Sequence, residues 1–349
     1  MTVPVSHCGE GAVRVQHVAA PPQAPNPLSP VVAPVAAEMA RVEELIRREA
    51  DAGHPYVRAL FAHALQFGGK RLRPLLLLVT ARGLGGATER HVRLATVVEL
   101  LHTATLVHDD VLDEALLRRR SETVHTRFGN EAAVLFGDYL FSRAFLLAAE
   151  VGSPRAWSIL TRAAQETCLG ELAQTARRHA FDLGEEEYLQ IVRRKTGALF
   201  AAAAELATLD IDGGPAAAPR LVQYGLHLGT AFQMVDDCLD LVGEEREAGK
   251  TLGTDLAKGK STLPVIRLVA ETPAGERPAL REFLAGMDGA AEPRRRLREM
   301  LRERGAVEYA LARARRLAEE AMAALDGLPD GFDRAPLALL ADYVTCRRA

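Results

Sequence analysis

The stretch Val92-Arg93-Leu94-Ala95-Thr96-Val97-Val98-Glu99-Leu100-Leu101-His102-Thr103-Ala104-Thr105-Leu106-Val107-His108-Asp109-Asp110-Val111-Leu112-Asp113 is apolar nearly all round and ends in three aspartates. Nothing in it alternates with period two, and it holds neither Gly nor Pro. It reads as one long helix buried among other helices. A second stretch, Leu221 to Val242, has the same character and carries Asp236-Asp237-Cys238-Leu239-Asp240. In each cluster the first and last aspartates are four residues apart. On a helix they share a face, with Cβ atoms about 5–6 Å apart.

Carboxylates at the end of a buried helix are costly unless cations compensate them. Two such pairs make an oxygen-rich site for hard divalent ions, whose shells are usually completed by substrate phosphates. An exposed acidic helix end would explain one cluster equally well. Two clusters of identical spacing, each on an apolar helix, favour the metal reading.

Outward from these two segments, the pattern stays helical from Val35 on, rich in Ala, Leu, Glu and Arg and poor in aromatics. Breakers separate the segments at Gly83-Leu84-Gly85-Gly86, Gly152-Ser153-Pro154, Gly213-Gly214-Pro215, Thr272-Pro273-Ala274-Gly275 and Pro329-Asp330-Gly331. The expectation is one all-α domain over residues 36–349, with about ten or more helices and no short-period repeat. Residues 1–35, rich in Pro, Ala and Val, read as a mobile arm.

The composition is that of a globular protein, with 48% hydrophobic and 26% charged residues among 349. A net charge of −3 argues against a general nucleic-acid binder. Cys8, Cys168, Cys238 and Cys346 have no zinc-site or disulfide spacing and read as reduced thiols in a cytoplasmic protein. No signal peptide is evident, and no segment reaches the ~18 unbroken apolar residues of a membrane span.

Three basic runs supply the complementary charge. Gly68-Gly69-Lys70-Arg71-Leu72-Arg73-Pro74 combines close backbone approach with point-charge and forked cations suited to diphosphate. Arg118-Arg119-Arg120 follows the first aspartate cluster, and Lys250, Lys258 and Lys260 follow the second. Each alone reads as a solvated basic turn or loop.

Together these pieces resemble the trans-type isoprenyl diphosphate synthases, the polyprenyl synthetase family. The matching motifs run in family order. They are Gly68 to Pro74, Glu99 to Glu114, Gly137-Asp138-Tyr139-Leu140, Lys195-Thr196-Gly197, Phe232 to Asp240, and Gly259-Lys260-Ser261-Thr262-Leu263-Pro264. The resemblance spans residues 38–349 and implies a single-domain all-α bundle around a deep central cavity, usually a homodimer.

It also implies the chemistry. An allylic diphosphate ionises, isopentenyl diphosphate attacks the cation, and a proton is lost. Three magnesium ions, bound with the allylic diphosphate by Asp109, Asp113, Asp236 and Asp240, would neutralise the leaving group. Asp110 and Asp237 would support that shell. Arg118, Lys195 and Lys260 would face the allylic diphosphate, and Lys250 is a further substrate-binding candidate. Lys70, Arg73, His102 and Arg119, with help from Arg71, would hold isopentenyl diphosphate. Thr196 and Gln233 match the polar groups that face the developing cation. His102 by itself reads equally as a satisfied core histidine, and Thr196 and Gln233 as ordinary buried helix hydrogen bonding. The departing diphosphate is the proton acceptor to consider, since no side chain stands out as a base.

Product length is partly legible. Family members that stop early place bulky aromatics where this chain has Ala104 and Thr105. With Leu101 a further turn below, one turn of about 5.4 Å admits roughly one isoprene unit. The expectation is a product beyond about four units, of the kind that supplies quinone side chains. Deeper floor residues near Phe141 or Phe145 would instead favour geranylgeranyl diphosphate. A non-catalytic subunit of a heteromeric synthase, or a terpene cyclase, fits less well because both aspartate motifs and the Gly-Lys-Arg anchor are present. Leu116, where the family often has Asp, and Arg120-Ser121-Glu122, where Gly-Lys-Pro is more usual, depart from the pattern. Peripheral membrane contact stays open as a route for releasing an apolar product.

Overall fold

The computed structural model describes residues 27–50, 54–66, 68–119, 121–242, 254–287 and 290–347. They form one helical body built around two long helices, α5 (Glu89–Leu112) and α11 (Gly214–Val242). Before α5 come α1 (Ser29–Val32), α2 (Ala36–Ala50), α3 (Pro55–Gln66) and α4 (Leu72–Leu84). Between the long helices lie α6 (Val124–Phe128), α7 (Asn130–Glu150), α8 (Pro154–Ala176), α9 (Glu185–Val192), a π-helical turn at Arg193–Gly197, and α10 (Ala198–Leu206). After α11 follow α12 (Thr254–Ala257), α13 (Leu263–Glu271), α14 (Arg277–Ala285), α15 (Ala291–Glu303), α16 (Ala306–Ala324) and α17 (Ala335–Cys346).

Helix ends fall where the sequence punctuates them. Thr88 and His91 form a reciprocal capping box at the start of α5. Ser153 accepts from the Ala156 N–H, with Pro154 in the first turn of α8. Gly85, at φ 144°, closes α4 in a conformation that favours glycine. Helix α5 packs against α2, α4 and α7, whereas α11 packs against α10, α16 and α17. Both long helices are therefore enclosed, as their all-round apolar sequences require.

One expectation is corrected. The arm does not extend to residue 35. Leu28, Val31 and Val35 are buried in the core, so residues 28–35 belong to the helical body. Residues 1–26 lie outside the described residues. The protein also has a small hairpin, β1 (Leu117–Arg118) paired antiparallel with β2 (Ser121–Glu122), directly after the first aspartate cluster. Two residues per strand are too few to show an alternating pattern.

Of the described helices, α7 alone is long and apolar enough to cross a membrane by composition. Its Phe136, Leu140 and Ala144 are buried, and it packs along α5. The burial is that of a core helix with one open side.

Close helix approach at the π-turn depends on small residues. A Cβ at Gly170 of α8 would lie 2.7 Å from the Lys195 Cα, and one at Gly229 of α11 would lie 2.9 Å from the Gly197 Cα. Overpacking of this kind costs about 1–3 kcal/mol. Gly170→Ala is therefore expected to lower the melting temperature clearly, whereas Gly275→Ala, which meets nothing within 4 Å, leaves it nearly unchanged. Equal melting temperatures for the two variants would contradict this account.

Candidate active site

One cavity of about 830 Å³ collects both chemical halves of the sequence pattern. Asp110 and Asp113 of the first cluster and Asp236 of the second line it, and so do Lys70, Arg71, Arg73, His102, Arg118, Arg119 and Lys260. Lys250 lies outside the described residues.

The cationic side is built by the start of α4, the middle of α5 and the hairpin. Arg73 is buried with its Nε unpartnered and its guanidinium 4.5 Å from the centre of the Phe200 ring. Burial lowers its pKa to about 10, against the pull of Glu99 and Asp236. His102 is pushed well below the usual imidazole range, first by burial and then by the charges of Arg73, Arg118, Arg119 and Arg71. It is therefore neutral, with a ring N–H to donate. Lys70 sits with its Nζ 5.1 Å from the centre of the Tyr343 ring. A buried cation with an unmet donor, beside a neutral histidine, suits an incoming polyanion.

Arg71 differs from its neighbours. It adopts φ 48° and donates to Glu43 and Glu99, both at 2.7 Å. Those carboxylates outweigh burial and raise its pKa. Arg71 thus braces α2, α4 and α5 while also lining the cavity. Arg119, at φ 50°, donates to the Gly68 carbonyl and so ties the hairpin to the glycine turn.

Each aspartate cluster is matched by cations of the chain. Asp110 is buried and accepts a fork from Arg118, with contacts of 2.9, 3.0 and 2.7 Å. Arg118 thus reaches the first cluster itself. Asp113 lies 3.0 Å from Arg178 and 2.5 Å from Lys260. Lys260 is also 3.5 Å from Asp255, whose backbone N–H donates to Asp240 at 3.2 Å. Asp236 accepts from Arg347 at 2.8 Å, near the end of the described chain. Asp109 faces Lys195 at 3.8 Å, and Lys195 also pairs with Glu171 and donates to Gln174 at 2.9 Å. For Lys195 burial lowers the pKa, but Asp109 and Glu171 raise it further, so it stays charged.

A polar chain runs beside these ions. Thr196 Oγ1 donates to Gln233 Oε1 at 2.8 Å, and Gln233 Nε2 donates to Asp237 Oδ1 at 2.8 Å. The other Asp237 oxygen accepts from the buried Tyr188 hydroxyl at 2.6 Å. Asp237 is an anchored interior group; burial first, then the nearby Asp255 charge, lifts it to about 7 against the hydrogen bonds.

The donor set fits magnesium: hard carboxylate oxygens from two helices, now balanced by ammonium and guanidinium groups. Among the described residues no three His, Cys, Asp or Glu side chains form a ready metal cluster. Phosphate oxygens would have to complete any such shell.

The three chain-length positions do not line the described cavity. Leu101 and Ala104 are buried in the core, and Thr105 is half-buried with its hydroxyl donated to the His102 carbonyl. They lie on a different side of α5 from His102, Thr103 and Leu106, which do line it. Sequence reading missed Glu43, Glu99, Glu171, Arg178, Tyr188, Asp255 and Arg347. Apart from the Asp255 contact to Lys260, they act through partners fifteen or more residues away in the chain, and no local spacing marks them.

Burial raises the Asp109 carboxyl to about 6, with Lys195 opposing and Glu171 and Asp113 adding to the rise. The folded state thus holds this proton more tightly than the unfolded chain. Ionising Asp109 costs on the order of 1 kcal/mol after allowance for partial exposure. The penalty is absent below about pH 4, grows with pH, and is complete above about pH 6. Asp109→Asn is expected to raise the melting temperature at neutral pH and to change it little near about pH 4. A lower melting temperature at neutral pH would contradict this assignment.

Comparison with known proteins agrees with the geometry. The profile of the family described as polyprenyl synthetase matches residues 54–301. An octaprenyl diphosphate synthase of Haemophilus influenzae is 35% identical over 304 residues, covering 87% of this chain and 92% of that protein. A polyprenyl synthase of Caulobacter crescentus, crystallised with calcium and isoprenyl diphosphate, superposes with a TM-score of 0.88 at 38% identity, covering 92% of this chain and 98% of the other. A decaprenyl diphosphate synthase of Rhodobacter capsulatus gives a TM-score of 0.84 at 37% identity, covering 91% and 98%. With its two aspartate walls, its cationic pocket and this helical fold, the chain belongs to the polyprenyl synthetase family.

Proposed function

We propose that this protein is a prenyltransferase that adds isopentenyl diphosphate to an allylic diphosphate and elongates an all-trans polyprenyl diphosphate beyond about four isoprene units. The observation that carries the reading is the shared cavity, which is lined by carboxylates of both clusters and by a second group of cations, the buried Arg73 with Lys70 and Arg119. Only a reaction between two diphosphates needs both.

Asp109, Asp113, Asp236 and Asp240 would hold the magnesium ions, taken as three, together with the allylic diphosphate. Bound there, magnesium supplies the charge that stabilises the leaving diphosphate. Lys195, Lys260 and Arg118 add fixed positive charge on the same side. Lys70, Arg73, His102 and Arg119 receive the second diphosphate, His102 donating a hydrogen bond as the neutral ring. Thr196 and Gln233 present oxygen lone pairs to the allylic carbon as it becomes positive. The enclosing helices keep water from that carbon, and the released diphosphate takes the proton.

The product reading rests on the small residues Ala104 and Thr105 and on the likeness to octaprenyl and decaprenyl synthases. Quinone side chains are the matching use. Val134, Leu135 and Leu146 of α7 and Trp157, Leu169 and Leu172 of α8 are exposed apolar side chains. A second copy of this chain is the proposed cover, which makes the enzyme a homodimer. The free thiols of Cys168, Cys238 and Cys346 suit a reducing cytoplasm.

Purified protein with magnesium, labelled isopentenyl diphosphate and a set of allylic primers is expected to give a ladder ending beyond about four isoprene units. A ladder ending at geranylgeranyl diphosphate would overturn the chain-length reading. Asp236→Ala is expected to lower turnover by about a thousandfold or more while the far-ultraviolet dichroism stays helical. Thr105→Phe is expected to shorten the product, and an unchanged ladder would show that the tail does not pass this face of α5.

A further inference from the structure

We propose that Tyr188 is a positioning residue for prenyl transfer, its hydroxyl fixing the direction of the hydrogen-bond chain Asp237–Gln233–Thr196. The inference rests on the prenyl-transfer reading above.

The direction follows from donor and acceptor chemistry. The Tyr188 O–H engages one Asp237 oxygen, Oδ2, at 2.6 Å, which leaves the other, Oδ1, as the acceptor for the next link. An amide side chain has one donor end and one acceptor end. The Gln233 NH₂ therefore faces Asp237, at 2.8 Å, and its carbonyl faces Thr196. That carbonyl takes the Thr196 proton, at 2.8 Å. The Thr196 hydroxyl is left with lone pairs as its free side, and Gln233 with the remaining lone pair of its carbonyl. Both are electron-rich ends of the kind that favours a nearby cation.

The path is also closed mechanically. Helix α9, which bears Tyr188, runs directly into the π-turn that bears Thr196. The hydrogen bonds return from Thr196 to Tyr188 through Gln233 and Asp237 of α11. Tyr188 is 3% exposed and Asp237 5%, so water is a poor substitute for a lost link. Neither Tyr188, Thr196, Gln233 nor Asp237 lines the cationic pocket. Loss of the hydroxyl should therefore weaken the bond-making step and leave diphosphate binding intact.

Tyr188→Phe keeps the ring and removes only the donor. Single addition of isopentenyl diphosphate to a saturating allylic primer, with magnesium, is the assay. The expected kcat is about 10–100-fold lower, from one charge-assisted hydrogen bond, with both KM values within about threefold. In the double variant Tyr188→Phe/Gln233→Ala, turnover is expected to match Gln233→Ala alone, because both changes break the same chain. Unchanged kcat in Tyr188→Phe would overturn the proposal. So would losses that multiply in the double variant, or a loss no greater than the unfolded fraction measured by circular dichroism. No product from the wild-type chain would overturn the prenyl-transfer reading itself, and the role of Tyr188 with it.

Discussion

Lys260 reaches Asp113 at 2.5 Å and Asp255 at 3.5 Å, and the Asp255 N–H reaches Asp240. This ion chain ties the end of α5 to the end of α11 and so holds the two acidic walls together. Carboxylates gathered in a largely buried space repel one another and lose hydration. The fold survives this because Lys195, Arg118, Arg178, Lys260 and Arg347 each stand against one of them. Bound magnesium would be held by the carboxylates, and a bound diphosphate would offer its oxygens to the same cations.

Helix α5 presents functional side chains on two faces. His102, Thr103, Leu106 and Asp110 project toward the shared cavity. Asp109, one residue from Asp110, turns about 100° around the axis toward Lys195 and Glu171. Under the proposed reaction the two diphosphates would meet different faces of this one helix, and helix geometry would set the distance between them.

Much of this was legible in sequence. The aspartate spacing, the all-round apolar helices and the glycine and proline breakers point to the fold and to the acidic walls from local pattern alone. Residues whose role depends on a distant partner were not legible. Arg71 reads only as an anion ligand in sequence, and its bracing of Glu43 and Glu99 shows only in the fold. Tyr188 lies in a polar stretch, and its importance comes only from Asp237, on another helix. The π-turn at Arg193–Gly197 has no spacing signature, and its room comes from Gly170 on α8. In the arm, abundant Pro and Ala masked the spacing of Leu28, Val31 and Val35, which is that of a packed helical segment.

The central claim is that the carboxylate walls bind divalent ions only in company with a diphosphate. Titration calorimetry of the purified protein tests it directly, with magnesium alone, inorganic diphosphate alone, and the two together. The account predicts weak binding of either alone and strong, mutually reinforcing binding of the pair, lost in Asp109→Ala. Tight binding of magnesium without diphosphate, or equal affinity of diphosphate with and without the ion, would contradict it.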